Sequence, residues 1–71
     1  MSKLIFTKHA MERMVERSVS KFEIEAAMKA PTKIEEYAEG YRVFKKFNSK
    51  MLVVGLFVVE KEVSVATVFW K

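Results

Sequence analysis

The stretch Met28 to Phe47, "MKAPTKIEEYAEGYRVFKKF", is where the residue pattern of the chain changes, and its reading decides the fold. Up to Pro31 the apolar residues recur at helical spacing; beyond it come runs rich in valine, phenylalanine and tyrosine, which favour strands. Proline ends the preceding helix because it lacks an amide hydrogen and pushes the residue before it out of helical backbone. Strands are predicted at about Lys33 to Tyr37, Tyr41 to Asn48, Met51 to Glu60 and Val63 to Trp70, joined by "AEG", "NS" and a charged "EKE". Links this short make sequential strands antiparallel neighbours. Met51 to Val59 is apolar on both alternating faces and should be a central strand, whereas Tyr41 to Asn48 mixes Arg42, Lys45 and Lys46 with Val43, Phe44 and Phe47.

Upstream, "KLIF" is a short apolar strand leading to Thr7, whose hydroxyl can cap a helix starting at Lys8, with Phe6 and Met11 in the hydrophobic staple positions. On that helix Ala10, Met11, Met14 and Val15 fall on one side, and His9, Glu12, Arg13, Glu16 and Arg17 on the other. Ser20 and Glu23 form an S-x-x-E capping box, with Val19 and Ile24 as its staple, so a second helix starts at Lys21 and stops before Pro31. Lys21, Glu25 and Lys29 make a narrow charged stripe on it, and Phe22, Ile24, Ala26, Ala27 and Met28 cover much of the remainder, making it the more buried helix. The class is α+β, with two helices on one face of a mainly antiparallel sheet of about four strands, and Met14, Ile24, Met28, Val54, Leu56 and Val65 in the core.

A chain of 71 residues makes one domain, 1–71, and buries only roughly 60% of the surface it exposes when unfolded. Without cysteine there is no disulfide framework, and the cytoplasm is the expected compartment. The longest apolar run, Met51 to Val59, falls far short of the roughly 20 residues that span a bilayer as a helix, so no membrane association is expected. Lysine and arginine exceed aspartate and glutamate by 13 to 9, which leans toward an anionic partner. One histidine and no cysteine do not make a tetrahedral zinc site, and Gly40 and Gly55 are too far apart for a phosphate-binding loop, so neither a metal nor another cofactor is expected.

What remains is one histidine among cations, the minimum for metal-free cleavage of RNA: a proton-transfer group, and positive charge for the phosphorane. His9 is the one side chain that ordinarily titrates near neutrality, and Arg13 and Arg17, one and two turns on, could grip phosphate oxygens through forked hydrogen bonds. Arg42, Lys45 and Lys46 could add charge from the second strand of the sheet. By spacing alone the residues describe first of all the wet side of an amphipathic helix, with Glu12 and Glu16 as local ion-pair partners.

The string "HAMERMVERSVSKFEIEAAMKAP", His9 to Pro31, resembles the opening of a family of small bacterial and archaeal proteins with the pattern H-A-x-x-R-M-x-x-R-G-I-S, an acidic helix and a proline. That family is grouped with the RelE-like toxins, small ribonucleases neutralised by antitoxin partners. The resemblance implies the RelE-like order of a short strand, two helices and an antiparallel sheet. It implies His9 and Arg13 as catalytic residues, Arg17 as a further motif position and Arg42 as a weaker match in the sheet. Two positions depart from the pattern: Ser18 replaces the glycine after the second arginine, and Phe69 and Trp70 stand where related proteins often carry a tyrosine. The functional expectation is a toxin-like RNA-binding protein or metal-free ribonuclease; the alternative is a non-catalytic interaction module in which His9, Arg13 and Arg17 are structural. Because two helices blanket only one face of the sheet, a second copy of the chain, an antitoxin-like partner or the N-terminal segment with Tyr37, Tyr41 and Trp70 should cover the other.

Overall fold

In the computed structural model, which describes residues 3–71, the elements run β1 (Lys3–Phe6), α1 (Lys8–Glu16), α2 (Lys21–Lys29), β2 (Lys33–Tyr37), β3 (Gly40–Phe47), β4 (Lys50–Val59) and β5 (Glu62–Trp70). The helix starts follow the local chemistry. Thr7 accepts from the amide of Ala10, and Ser20 and Glu23 form both bonds of the capping box. The end of α1 is a Schellman turn: Val19 N–H donates to Met14 O at 2.9 Å, Ser18 N–H to Val15 O at 3.4 Å, and Ser18 takes the left-handed conformation with φ +54°. Serine therefore occupies the conformation that glycine holds most cheaply.

β2 to β5 form the expected antiparallel meander, but the sheet has five strands and is mixed, in the order β1-β5-β4-β3-β2. The added strand is β1, which lies parallel to β5 with Leu4 opposite Val63 and Phe6 opposite Val65. A parallel partner needs a crossover connection, and α1 and α2 lie in the chain between β1 and the rest of the sheet. Between β4 and β5 the register shifts: Gly55 pairs with Thr67 but Leu56 pairs with Val65, leaving Ala66 as the extra residue of a bulge. One extra residue reverses the alternation, so Val63 and Val65 before it share a face with Val68 and Trp70 after it.

That shared face carries the helices. Ala10 and Val19, with Ile24 and Ala27 of α2, pack into one core with Val43, Leu52, Val54, Leu56, Val65 and Val68, and Met14 and Met28 close its margin. The six expected core residues are thus all in or against it. The helices bury less than their apolar pattern suggests: on α1 only Ala10 is fully buried, while Val15 is 82% and Phe22 of α2 is 84% exposed.

The opposite face holds no helix. Alternation from the paired core residues places Lys33, Phe44, Val53 and Phe69 in one transverse row across it. Val53 and Phe44 are buried, yet they stand outside the helix-side core. Their cover is in-plane neighbours and cationic stems: Lys33 Nζ lies 4.8 Å and Lys71 Nζ 5.7 Å from the centre of the Phe44 ring. The described part of the N-terminal segment, Lys3–Phe6, does not fold across this face, because it is strand β1 at the sheet edge, while residues 1–2 lie outside the described residues; the bulge turns Trp70 to the helix side. Tyr41, opposite Leu56, also points to the helix side, which leaves Tyr37 alone of the three aromatic residues on the open face.

Candidate nucleic-acid interface

Thr7 fixes where the H-A-x-x-R motif sits. Its Oγ1 accepts from Ala10 N at 3.1 Å and donates to Val65 O at 3.0 Å, pinning the first turn of α1 to β5. His9 then projects into solvent. One turn on, Arg13 donates from Nε to His9 Nε2 at 3.3 Å and from Nη1 to Glu16. In this arrangement His9 Nε2 is the acceptor of the Arg13 bond. Arg13 and His9 are thus together and accessible, with Glu16 claiming part of the guanidinium.

Arg17 is used differently. Its Nη1 donates to Val68 O at 2.7 Å, and its own carbonyl accepts the indole Nε1–H of Trp70 at 2.8 Å. Val68 lies beyond the last β1–β5 pair, Phe6 with Val65, so the guanidinium supplies a donor on the stretch of β5 that β1 does not reach. Neither partner was legible from the spacing of α1, because both come from a strand more than fifty positions away.

The three sheet cations separate as well. Lys45 stands opposite Leu52 on the helix side and donates to Ala30 O at 2.7 Å, satisfying a carbonyl at the C-terminal end of α2. Arg42, opposite Gly55, and Lys46, opposite Met51, belong to the open face. There Arg42 lies over the Tyr37 ring at 4.9 Å, and Lys33 and Lys71, which the sequence reading did not single out, join them. The signal for Lys33 was available: it alternates with Glu35 and Tyr37 on a strand adjacent to that of Arg42.

The open face is therefore a cationic and aromatic surface, with Glu35 as an internal counter-charge. Glu35 accepts from the Tyr37 hydroxyl and pairs with Lys33 at 2.9 Å. The Tyr37 hydrogen bond, and then Lys33, hold the Glu35 carboxyl below its ordinary range, and the same carboxylate pushes the Tyr37 phenol up. Beside this network runs a groove of about 360 Å³ whose lining includes Tyr37, Arg42 and Phe57 as well as the two glycines. Gly40 is obligatory there, since a Cβ on it would stand 2.2 Å from Leu56 O.

The sheet thus lies between the two groups of predicted site residues. His9, Arg13, Arg17 and Lys45 are in the helix layer or bonded to it, and Arg42 and Lys46 are on the other face. Among the described residues no three His, Cys, Asp or Glu side chains converge, and no helix is long and apolar enough to cross a membrane.

Neither the curated proteins nor the solved structures contain a significant match to this chain. A family model does match, over residues 6–70, from the last residue of β1 to the last residue of β5 and including every residue of the two groups above. The chain belongs to the family described as domain of unknown function DUF4258.

Proposed function

We propose that this chain is an RNA-binding protein of the RelE-like toxin type, and that RNA lies on the helix-free face of the sheet. The observation that carries this reading is the gathering of Arg42, Lys46, Lys33 and Lys71 on that face, beside the rings of Phe44 and Tyr37. Cations contribute sequence-independent attraction to phosphates, and the exposed Tyr37 ring offers a stacking surface for an unpaired base, whereas Phe44 is buried and serves to seat Lys33 and Lys71. The order of strand, two helices and antiparallel strands is the order the resemblance implies, and it supports the toxin assignment at the level of fold alone.

Cleavage is the narrower part of the proposal. His9 is the proton-transfer group and Arg13 the adjacent cation, acting on a phosphodiester that reaches the helix layer; the open-face cations bind RNA but do not share that phosphate. A non-catalytic interaction module is the second reading, and the Arg17 contacts favour it for that residue, since both ends of Arg17 are spent on holding α1 to β5.

The test is titration of a labelled single-stranded RNA by anisotropy across a series of salt concentrations. The Arg42→Ala/Lys46→Ala double variant should bind more weakly, with a log–log salt slope reduced by about 1.4 for two lost phosphate contacts on a single strand. An unchanged slope, or no binding by the unaltered protein, overturns the RNA assignment. Growth arrest on expression, relieved in the same double variant, is the outcome expected of the toxin assignment.

A further inference from the structure

A second cleft, unrelated to the RNA surface, opens at the C-terminal end of α1 between the α1–α2 turn and the β3–β4 hairpin, with a volume of about 510 Å³. Its aromatic wall is Trp70 and Phe47, packed edge to face with ring centres 6.2 Å apart. The indole is held in place by its hydrogen bond to Arg17 O. Over its ring stands an ammonium, Lys50 Nζ, 5.4 Å from the centroid. Glu16 and Glu23 line the same cleft.

We propose that this cleft binds an organic cation, a primary ammonium or a guanidinium, which takes the place of Lys50 over the Trp70 ring. The face of an indole carries the negative part of its quadrupole and is the strongest cation acceptor among the aromatic side chains. Glu16 and Glu23, each engaged through Oε1 only, with Arg13 and with the Ser20 amide, and the partial negative charge at the end of α1 add to that field. Lys50 demonstrates that the position accepts an ammonium, and it is a replaceable occupant: it is exposed at the start of β4, and among the described residues no ion pair holds it. The volume lies in the range of small-ligand sites and exceeds what one lysine head fills. Arg17 also lines the cleft, but its guanidinium is engaged with Val68 O, so the remaining cation is the displaceable one.

An ammonium or guanidinium can come from a free polyamine or from a basic side chain of a partner protein. Trp70 is the only tryptophan in the chain, so its emission reports the site directly. The probes are spermidine, the capped peptide Gly-Arg-Gly and, as controls, the uncharged capped Gly-Gln-Gly and inorganic phosphate, each titrated against the full chain. A saturable change with spermidine or the arginine peptide, and none with the glutamine peptide, is expected; the tighter of the two identifies the source. Lys50→Met should tighten that binding by about 2- to 5-fold, the worth of an exposed cation–π contact no longer competing. Glu16→Gln should weaken it while leaving the thermal transition in place. Equal response to the glutamine peptide, saturation by inorganic phosphate instead, or no saturable change with either cation in both the unaltered and Lys50→Met proteins overturns the proposal.

Discussion

Arg17 and Trp70 hold each other: the indole N–H of Trp70 donates to the Arg17 carbonyl at 2.8 Å, while the Arg17 guanidinium reaches the carbonyl of Val68, two residues before that tryptophan. The pair ties the end of α1 to the end of β5, and Trp70→Phe tests it by keeping a ring and removing the donor. Loss of about 0.5–1.5 kcal/mol is expected for the hydrogen bond, together with part of the larger indole's burial, read as a lower midpoint in urea with unchanged slope. An unaltered midpoint would show that the contact contributes nothing to stability.

Ser18 offers a gain. It sits at φ +54° in the Schellman turn, where a side chain costs roughly 1 kcal/mol relative to glycine. Ser18→Gly should therefore stabilise the chain by about 0.5–1 kcal/mol, offset slightly by the freedom glycine adds to the unfolded state. Equilibrium unfolding measures it, and a destabilised variant contradicts the assignment of strain to this residue.

Gly40 admits no such change. A Cβ there meets the backbone oxygen of Leu56 at 2.2 Å, so Gly40→Ala must part β3 from β4 at the start of their pairing. A cost above about 3 kcal/mol, in the exceptional range for single substitutions, is expected, with early hydrogen exchange at Tyr41 and Leu56.

The open-face network predicts a pH response. Because the Glu35 carboxyl is held below its ordinary value in the folded chain, the stabilisation from its partners is complete above the unfolded value near 4.5 and disappears as pH falls through the lower folded value. Tyr37 is raised, so its contribution is complete below its unfolded value of 10.0 and disappears as pH rises through the folded value. In Tyr37→Phe the Glu35 carboxyl should titrate closer to its ordinary range, with Lys33 still lowering it. Carbon-detected NMR titration of Glu35 measures the shift, and an unchanged titration would mean that Lys33 alone sets it.

Binding and proton transfer should separate by layer. His9→Ala is expected to leave RNA affinity within about 0.5 kcal/mol, as for a surface substitution remote from the contact, while Arg42→Ala costs about 1.5–3 kcal/mol for a charged hydrogen bond lost. Anisotropy measures the affinities and product analysis the cleavage. An affinity loss in His9→Ala equal to that in Arg42→Ala would place the RNA across α1 instead.

The helix starts were legible because capping is local: Thr7 with Ala10, and Ser20 with Glu23, are within one turn. The meander was legible because short links leave sequential strands little choice of neighbour. The mixed character of the sheet was not, since β1 pairs with a strand at the other end of the chain. Nor was the turning of Trp70 toward the helices, which depends on one bulged residue, Ala66. The grouping of Lys45 with Lys46 is a different matter: adjacent strand residues point to opposite faces, and alternation alone separates them. Val15 and Phe22 show the limit of apolar periodicity in short helices, whose buried stripe is narrower than their hydrophobic pattern.

The place of β1 carries a consequence for the order of events during synthesis. Thr7 and its partner Val65 are 58 positions apart, and β5 separates β1 from every other strand. As the chain emerges from its amino end, α1, α2 and the β2–β3–β4 meander can form from near neighbours, whereas β1 has no partner until Val63 to Val65 have been made. Closing that distance is the slow, non-local step of the fold, and until it occurs both Leu4–Phe6 and the outer edge of β5 present unsatisfied backbone to whatever is nearby. The nascent chain therefore passes through a stage in which its two unpaired edges are available to another copy, and the parallel strand pair is the latch that ends it.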